Sequence, residues 1–218
     1  MSDSTSPTQL SVRELVDQLA SRAPVPGGGS AAALTGALAA ALIGMVTELT
    51  AGRAEYERHA AAVEAAREEA AALRAELLEL ADLDARAYEA VMDARHLPKT
   101  NEEERAHRSA RLHATILEAA RVPLRTARAA RQVLDLAVRI APIGNPNAVS
   151  DAGDAAQLAS AAVRGAILNV RINLPYLPAD EPLRRDATLE IAELEAAAMQ
   201  REDEAMASVE MQLTRAST

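Results

Sequence analysis

Residues 23–50, APVPGGGSAAALTGALAAALIGMVTELT, run two prolines and three consecutive glycines into an alanine-rich stretch that carries no charge before Glu48. No other segment limits the fold as much. Pro24 and Pro26 each fix φ and bias the preceding residue away from helix, so the approach is extended. Gly27, Gly28 and Gly29 then free the backbone, and Ser30 is the expected N-cap of a helix over about Ala31 to Thr50. A helix with no polar stripe belongs in a core, an interface or a membrane. Its surface is mainly Ala31, Ala32, Ala33, Gly36, Ala37, Ala39, Ala40, Ala41 and Gly44, side chains small enough to let other helices come close. The membrane reading is the weakest, because Leu and Ile are few and no aromatic belt flanks the segment. A glycine-rich turn opening a helix also presents unpaired amides and a positive dipole end, which suits a carboxylate or phosphate. It can equally be only a tight turn, since GGGS matches neither the dinucleotide fingerprint nor a P-loop.

The rest of the core must be built from the same small repertoire. The 218-residue chain has no Phe, no Trp and three Tyr, so Ala, Leu, Val, Ile and Met fill the interior. Closely packed helices suit them, and no strand pattern stands out. The expectation is an all-α, multihelical bundle with a buried central Ala/Gly-rich helix, one domain over residues 10–218 and a disordered start over 1–9. A formal charge of −9 argues against sequence-independent nucleic-acid binding. With no cysteine there is no disulfide or thiolate chemistry. Residues 1–9 lack the pattern of a signal peptide, and a cytoplasmic protein with neither nucleic-acid nor membrane partners is expected.

Taken in order, Ser11 and Glu14 read as a capping box for a helix whose apolar side is Leu15, Val16 and Leu19. Gly52 marks a break, and a long helical run follows from Arg53–Tyr56 to about Arg95. Val63, Ala70, Leu77, Asp84 and Val91 fall seven apart, with Ala66, Leu73, Leu80, Ala87 and Ala94 three residues on, the spacing of an a/d seam. Asp84 therefore stands where an apolar residue is expected. A carboxylate there is costly unless paired, hydrogen-bonded or protonated. It either sets register or pairs with an arginine, or it is an acid tuned for proton transfer. Asp82 and Glu79 read as solvated charges. Thr100 with Glu103 reads as the next capping box, and Val122-Pro123 as a kink or break before the helix resumes through Val133, Leu136 and Ile140. The arginines at 121, 125, 128, 131 and 139 read as a solvated or ion-paired set rather than a nucleic-acid patch, since acidic helices can answer them. After the loop GNPNAVSDAGDAA, Ser150 or Asp151 is expected to cap a helix with Val163, Ile167, Val170 and Leu174 on one face. Asn169 and Asn173 lie on another, as structural bridges or ligand contacts. The last helix, about Leu183 to Leu213, offers Leu189, Leu194, Met206 and Leu213 as inward residues. Four histidines without metal-binding spacing make a metal site unexpected.

APVPGGGSAAAL at 23–34, DLDARAYEAVMDARHLPK at 82–99, ARVPL at 120–124 and SDAGDAAQLASAAVRGAILNVRINL at 150–174 resemble, in order and spacing, the formiminotransferase-cyclodeaminase C-terminal domain family and its stand-alone bacterial relatives. The resemblance implies a multihelical homodimer acting on one-carbon tetrahydrofolates. It places the acidic residue of the DARAY segment on Asp84, the lysine of LPK on Lys99, the aspartate of the SD segment on Asp151 and the asparagines of NVxIN on Asn169 and Asn173. Arg53 stands where relatives often carry lysine, Tyr88 where phenylalanine is common, and Asp154 in a usually apolar place.

The implied activity is formimidoyltetrahydrofolate cyclodeamination, closing the 5,10-methenyl ring with loss of ammonia. The leaving nitrogen needs a proton, and a positioned carboxyl group can supply it. Asp84 is the expected donor, with Asp151 as helper. Lys99 and Arg105 are candidates for the folate carboxylates, Asn145, Asn169 and Asn173 for the pterin or one-carbon unit, and Gly27, Gly28, Gly29 and Ser30 for the pocket wall. Methenyltetrahydrofolate cyclohydrolase is the alternative activity, and a folate-binding subunit without catalysis a further one. No cofactor beyond the tetrahydrofolate substrate, and no metal, is expected.

Overall fold

Glycines and alanines set how closely the helices approach. The structure is a computed structural model that describes residues 6–216, and among them there are six α-helices and no strand. These are α1 (Val12–Leu19), α2 (Gly28–Thr50), α3 (Ala60–His96), α4 (Glu102–Ile140), α5 (Val149–Asn173) and α6 (Pro182–Ala216). α2 packs along α3 and α5, α4 packs along the same two helices, and α6 lies against α5 and α4. Twelve of the 23 residues of α2 are buried, five of them alanine and two glycine. At Gly36 an added Cβ would lie 3.1 Å from Leu77 Cδ2, so α2 and α3 meet almost backbone to side chain. Ile43, Leu77, Leu80, Leu134, Leu136, Ile140 and Ile167 fill the space between the alanine surfaces.

The α3 seam holds as its spacing predicts: Val63, Ala66, Ala70, Leu73, Leu77, Leu80, Val91 and Ala94 are buried, and the partly exposed members are Asp84 and Ala87. Before α3, residues Ala54–His59 form a 3-10 turn rather than α-helix, after a break at Gly52 with φ +72°. The five arginines in the second half of α4 find acids: Arg121 with Glu118, Arg125 with Glu76, Arg128 with Glu190, Arg131 with Asp135 and Arg139 with Glu69. Exposed pairs of this kind contribute about 0–1 kcal/mol each, so they orient the helices more than they stabilise them.

Several local expectations are corrected. α2 begins at Gly28 with Gly27 as N-cap, and Ser30 sits inside the first turn because its hydroxyl is engaged by α3. The capping box of α4 is one residue later than expected, Asn101 with Glu104, whose Oε2 accepts from the Thr100 amide at 2.7 Å. Pro123 does not break α4. Proline lacks the N–H that would bond Ala119 O, and Asn173 Nδ2 donates to that carbonyl instead at 2.9 Å. Neither Ser150 nor Asp151 caps α5, which starts at Val149, while Asn145 caps the 3-10 turn Pro146–Ala148 before it. On α6, Leu194 is buried but Leu189 and Leu213 face out, because the inward stripe runs through Ala187, Ile191, Leu194, Ala198, Ala205 and Val209.

The start of the chain differs too. Residues 1–5 of the expected disordered segment lie outside the described residues, but Pro7–Gln9 form a 3-10 turn fastened to α3. The Thr8 amide and hydroxyl donate to the two oxygens of Asp82, at 3.1 and 2.7 Å, so Asp82 is not merely a solvated charge. α1 has its predicted capping box, Ser11 with Glu14, yet buries no residue and leaves Val12, Val16 and Leu19 exposed.

Candidate active site

The close approach of α3 to the first turn of α2 creates the site. A Cβ on Gly29 would lie 2.1 Å from Asp84 Oδ1 and 2.5 Å from its Cγ, so only glycine admits the carboxyl group here. Asp84 thus rests on the amide-rich, positive end of a long helix. Ser30 Oγ lies 3.1 Å from Asp84 Oδ2 and donates to the Ala81 carbonyl at 2.9 Å. Burial pushes the Asp84 carboxyl up from its ordinary range, and the Ser30 hydroxyl and amide pull against that rise without cancelling it. The group holds its proton nearer neutrality than a solvated aspartate does.

Asp84 faces a cleft of about 320 Å³, within the range of small-molecule sites. Pro24, Val25 and Gly27–Gly29 form one wall; α3 supplies Asp84, Tyr88, Val91, Met92 and Arg95; α5 supplies Asn169, Ile172 and Asn173; Tyr176 stands at the mouth. The Val25–Pro26 peptide is cis. The Arg95 guanidinium lies 5.9 Å from the centre of the Tyr176 ring, a cation–π arrangement at the outer end of the cleft.

The two asparagines have a fixed sense. Asn169 Nδ2 donates to Gly165 O at 2.9 Å, and Asn173 Nδ2 donates to Ala119 O and Asn169 O at 2.9 and 2.8 Å. A carbonyl oxygen only accepts, so the amide nitrogens must face these partners. Both hydrogens of Asn173 Nδ2 are used, which leaves its Oδ1 as the acceptor that this residue can offer a ligand. These asparagines are therefore structural bridges and cleft-lining groups at once.

Of the residues singled out in the sequence, Gly27, Gly28, Gly29, Asp84, Asn169 and Asn173 come together here. Ser30 is fully buried behind Asp84 and does not line the cleft. Lys99 is exposed in the turn between α3 and α4, and Arg105 donates to Thr100 O; neither lines the cleft. Asp151 lies eighteen residues before Asn169 on α5, about 27 Å along the axis at 1.5 Å per residue, so the structure does not bring it to Asp84. Asn145 is corrected as well. It binds the far end of α2, its amide donating to Thr50 Oγ1 at 2.9 Å and its Nδ2 to Leu49 O at 3.2 Å. Asp154 is exposed on α5 near Asp151 and leaves the cleft's charge untouched. Tyr88, Arg95 and Tyr176 were missed. The first two lie one residue after Ala87 and Ala94 on α3, so widening the stripe by one position on that side finds them.

No group of three or more His, Asp or Glu side chains among the described residues is placed to hold a metal ion. Sequence and structure comparisons agree on kinship. The chain is 43% identical to a methenyltetrahydrofolate cyclohydrolase of Methylorubrum extorquens over 162 residues, 74% of this chain and 78% of that protein. It is 36% identical to the mouse formimidoyltransferase-cyclodeaminase over 78% of this chain, spanning 31% of the mouse protein. A crystal structure of formiminotetrahydrofolate cyclodeaminase from Thermotoga maritima superposes with a TM-score of 0.82 and 32% identity, covering 94% of this chain and 98% of that one. With residues 11–193 also matching the formiminotransferase-cyclodeaminase family as a whole, the chain belongs to that family.

Proposed function

We propose that this chain is a folate one-carbon enzyme that acts at the carbon joining N5 and N10 of tetrahydrofolate, and that its reaction is formimidoyltetrahydrofolate cyclodeamination. The observation that carries the reading is Asp84, a proton-retaining carboxyl group on the first turn of α2 in a ligand-sized cleft. N10 attacks the formimidoyl carbon, and its proton passes to the imino nitrogen, which becomes the amino group of the adduct. Asp84 gives its proton to the amino nitrogen of the tetrahedral adduct, and the C–N bond breaks with its electron pair leaving on ammonia. The resulting carboxylate then faces the 5,10-methenyl cation and stabilises it. The Asn169 and Asn173 amides suit the donor-rich pterin edge, and Arg95, rather than Lys99 or Arg105, is the cation placed at the cleft mouth for an anionic tail.

Cyclohydrolysis is the second reading, favoured by the 43% identity to the M. extorquens cyclohydrolase. Water would add to the methenyl carbon with one proton going to the Asp84 carboxylate, and that proton would return to N5 as the C–N5 bond breaks, while the second water proton leaves the hydroxyl to solvent as the formyl C=O forms. Parallel assays with 5-formimidoyl and 5,10-methenyl substrates separate the two, through ammonia release and loss of methenyl absorbance. Folate binding without turnover of either would replace both with a binding role. No cofactor besides the folate is required for either reaction.

A homodimer completes the proposal. α2 is the one described helix long and apolar enough to cross a membrane, and 56% of its most apolar stretch is buried in this chain. Its outer face still exposes Leu38, Met45 and Leu49, and α5 beside it exposes Leu168 and Ile172. This exposed apolar surface, which a second copy would cover, supports the reading, and light scattering that finds a stable monomer overturns it. The cytoplasm is the proposed site of action, in keeping with a cysteine-free chain.

A further inference from the structure

Ser30 has one hydroxyl hydrogen and two acceptors within reach. Its Oγ lies 2.9 Å from Ala81 O and 3.1 Å from Asp84 Oδ2, and the side chain has no exposure to solvent. A hydroxyl rotates freely but cannot give one hydrogen fully to both. Ala81 O belongs to α3, where the helix ladder supplies it with a second donor, so it tolerates losing Ser30. The Asp84 carboxyl has Ser30 as its hydrogen-bond partner in the structure, and its other oxygen lies against the bare backbone of Gly29.

We propose that Ser30 is the positioning residue of Asp84 and a two-position hydrogen-bond partner that follows its protonation. When Asp84 is an acid, its O–H donates to Ser30 Oγ and the serine hydrogen points to Ala81 O. When Asp84 has given up its proton, the serine hydrogen swings to Asp84 Oδ2 and replaces the lost bond. Ser30 neither gains nor loses a proton in the exchange. The carboxyl group is held in one place through both states, and its reprotonation needs no movement of backbone. The inference rests on the proposed role of Asp84 in proton transfer, and it deepens that role by naming what keeps the acid aligned.

Among the residues facing Asp84, no competing charge is close enough to do this. α2 and α5 present Gly28, Gly29, Asn169 and Asn173, none of them ionisable. On α3 Tyr88 lies one turn along and Arg95 three turns along, and Tyr176 stands at the mouth.

The test is a carbon-13 NMR titration of aspartate carboxyls in the ligand-free full chain, with Asp84→Asn identifying the Asp84 signal. Ser30→Ala removes the bond to the acid and the stronger, charge-assisted bond to the carboxylate; because the second outweighs the first, Asp84 should then bind its proton more tightly, by up to about tenfold. The corresponding limb of the kcat–pH profile should move upward in pH, with KM little changed. Ser30→Cys, a weak donor and acceptor of similar size, should give an intermediate midpoint. A midpoint unmoved in Ser30→Ala overturns the proposal, as does an unmoved midpoint in Ser30→Cys if the alanine variant does not fold. Because the titration needs no substrate, an Asp84→Asn variant that kept full activity would remove Asp84 from catalysis and leave this result to stand or fall on its own.

Discussion

The two ends of α2 are built from similar parts and do different things. At the Thr50 end, Gly144 comes so close that a Cβ would lie 2.9 Å from Val46 Cγ1, and Asn145 and Thr50 are buried beside it. There the polar groups satisfy one another: Thr50 donates to Val46 O, the Asn145 amide donates to Thr50, its Nδ2 to Leu49 O, and its Oδ1 accepts from Asn147. At the Gly28 end, Gly29 is just as crowded, but Asp84, Asn169 and Asn173 line a cleft. Closed polar clusters hold a fold together, and polar groups left open to a cavity are available for a ligand. A cleft of similar volume lies near the Thr50 end, lined by Tyr56, His59 and Gln212, but Asn145 does not open into it. The difference separates binding from bracing more sharply than residue type does.

The largest expected effect tests the open end. Asp84→Asn should lower turnover by about 10²–10⁴-fold, the range for loss of a general acid, while circular dichroism shows an unchanged fold. Next comes Gly29→Ala. Its methyl group must displace the Asp84 carboxyl, and a loss on the order of 10²-fold in kcat with folding retained would mark a misplaced acid. At the closed end the sign of the comparison reverses. Asn145→Ala should cost about 1–3 kcal/mol in denaturant unfolding for the partners it orphans, with activity per folded molecule kept. Loss of turnover without loss of stability in that variant would break the distinction between the ends.

Two smaller effects sharpen it. Because burial raises the folded-state affinity of Asp84 for its proton, ionising it costs stability as pH rises above its ordinary value of about 3.9. Asp84→Asn should therefore be more stable than wild type at pH 7, with the gap closing as pH falls toward that value in parallel melts. The smallest concerns Ser160 on α5, whose hydroxyl is fully buried without a hydrogen-bond partner. Ser160→Ala should raise stability by about 1 kcal/mol or leave it level, and a clear loss would reveal a partner for that oxygen.

Much of this was legible in the order of residues, wherever one periodicity governed. The α3 seam, the all-helical class, the capping box of α1 and the paired arginines of α4 follow from spacing and charge. Asp84 stood out because it interrupts an apolar stripe. Contacts between distant segments were not legible. Nothing near Asp151 or Asn145 in the chain says that they lie at the other end of the bundle from Asp84, and nothing near Thr8 announces Asp82 as its acceptor. Ser30 looked like a cap because serine before an apolar run usually is one. Its hydroxyl instead faces α3, which local sequence cannot foresee. The proline in α4 misled for the same reason, since the group that completes the helix is fifty residues away.

That proline has a mechanical consequence. An ordinary α4 would consume the Ala119 carbonyl within its own ladder, and its neighbour could slide past a saturated surface. The missing amide at Pro123 turns that carbonyl into a socket, and Asn173, near the last turn of α5, is the peg. Translation of α5 along α4, even by a fraction of a turn, would unseat it. The same side chain borders the cleft and Ala119 lines it too, so the socket fixes the gauge of the ligand site at its wall, through a gap in a helix that carries none of its ionisable groups.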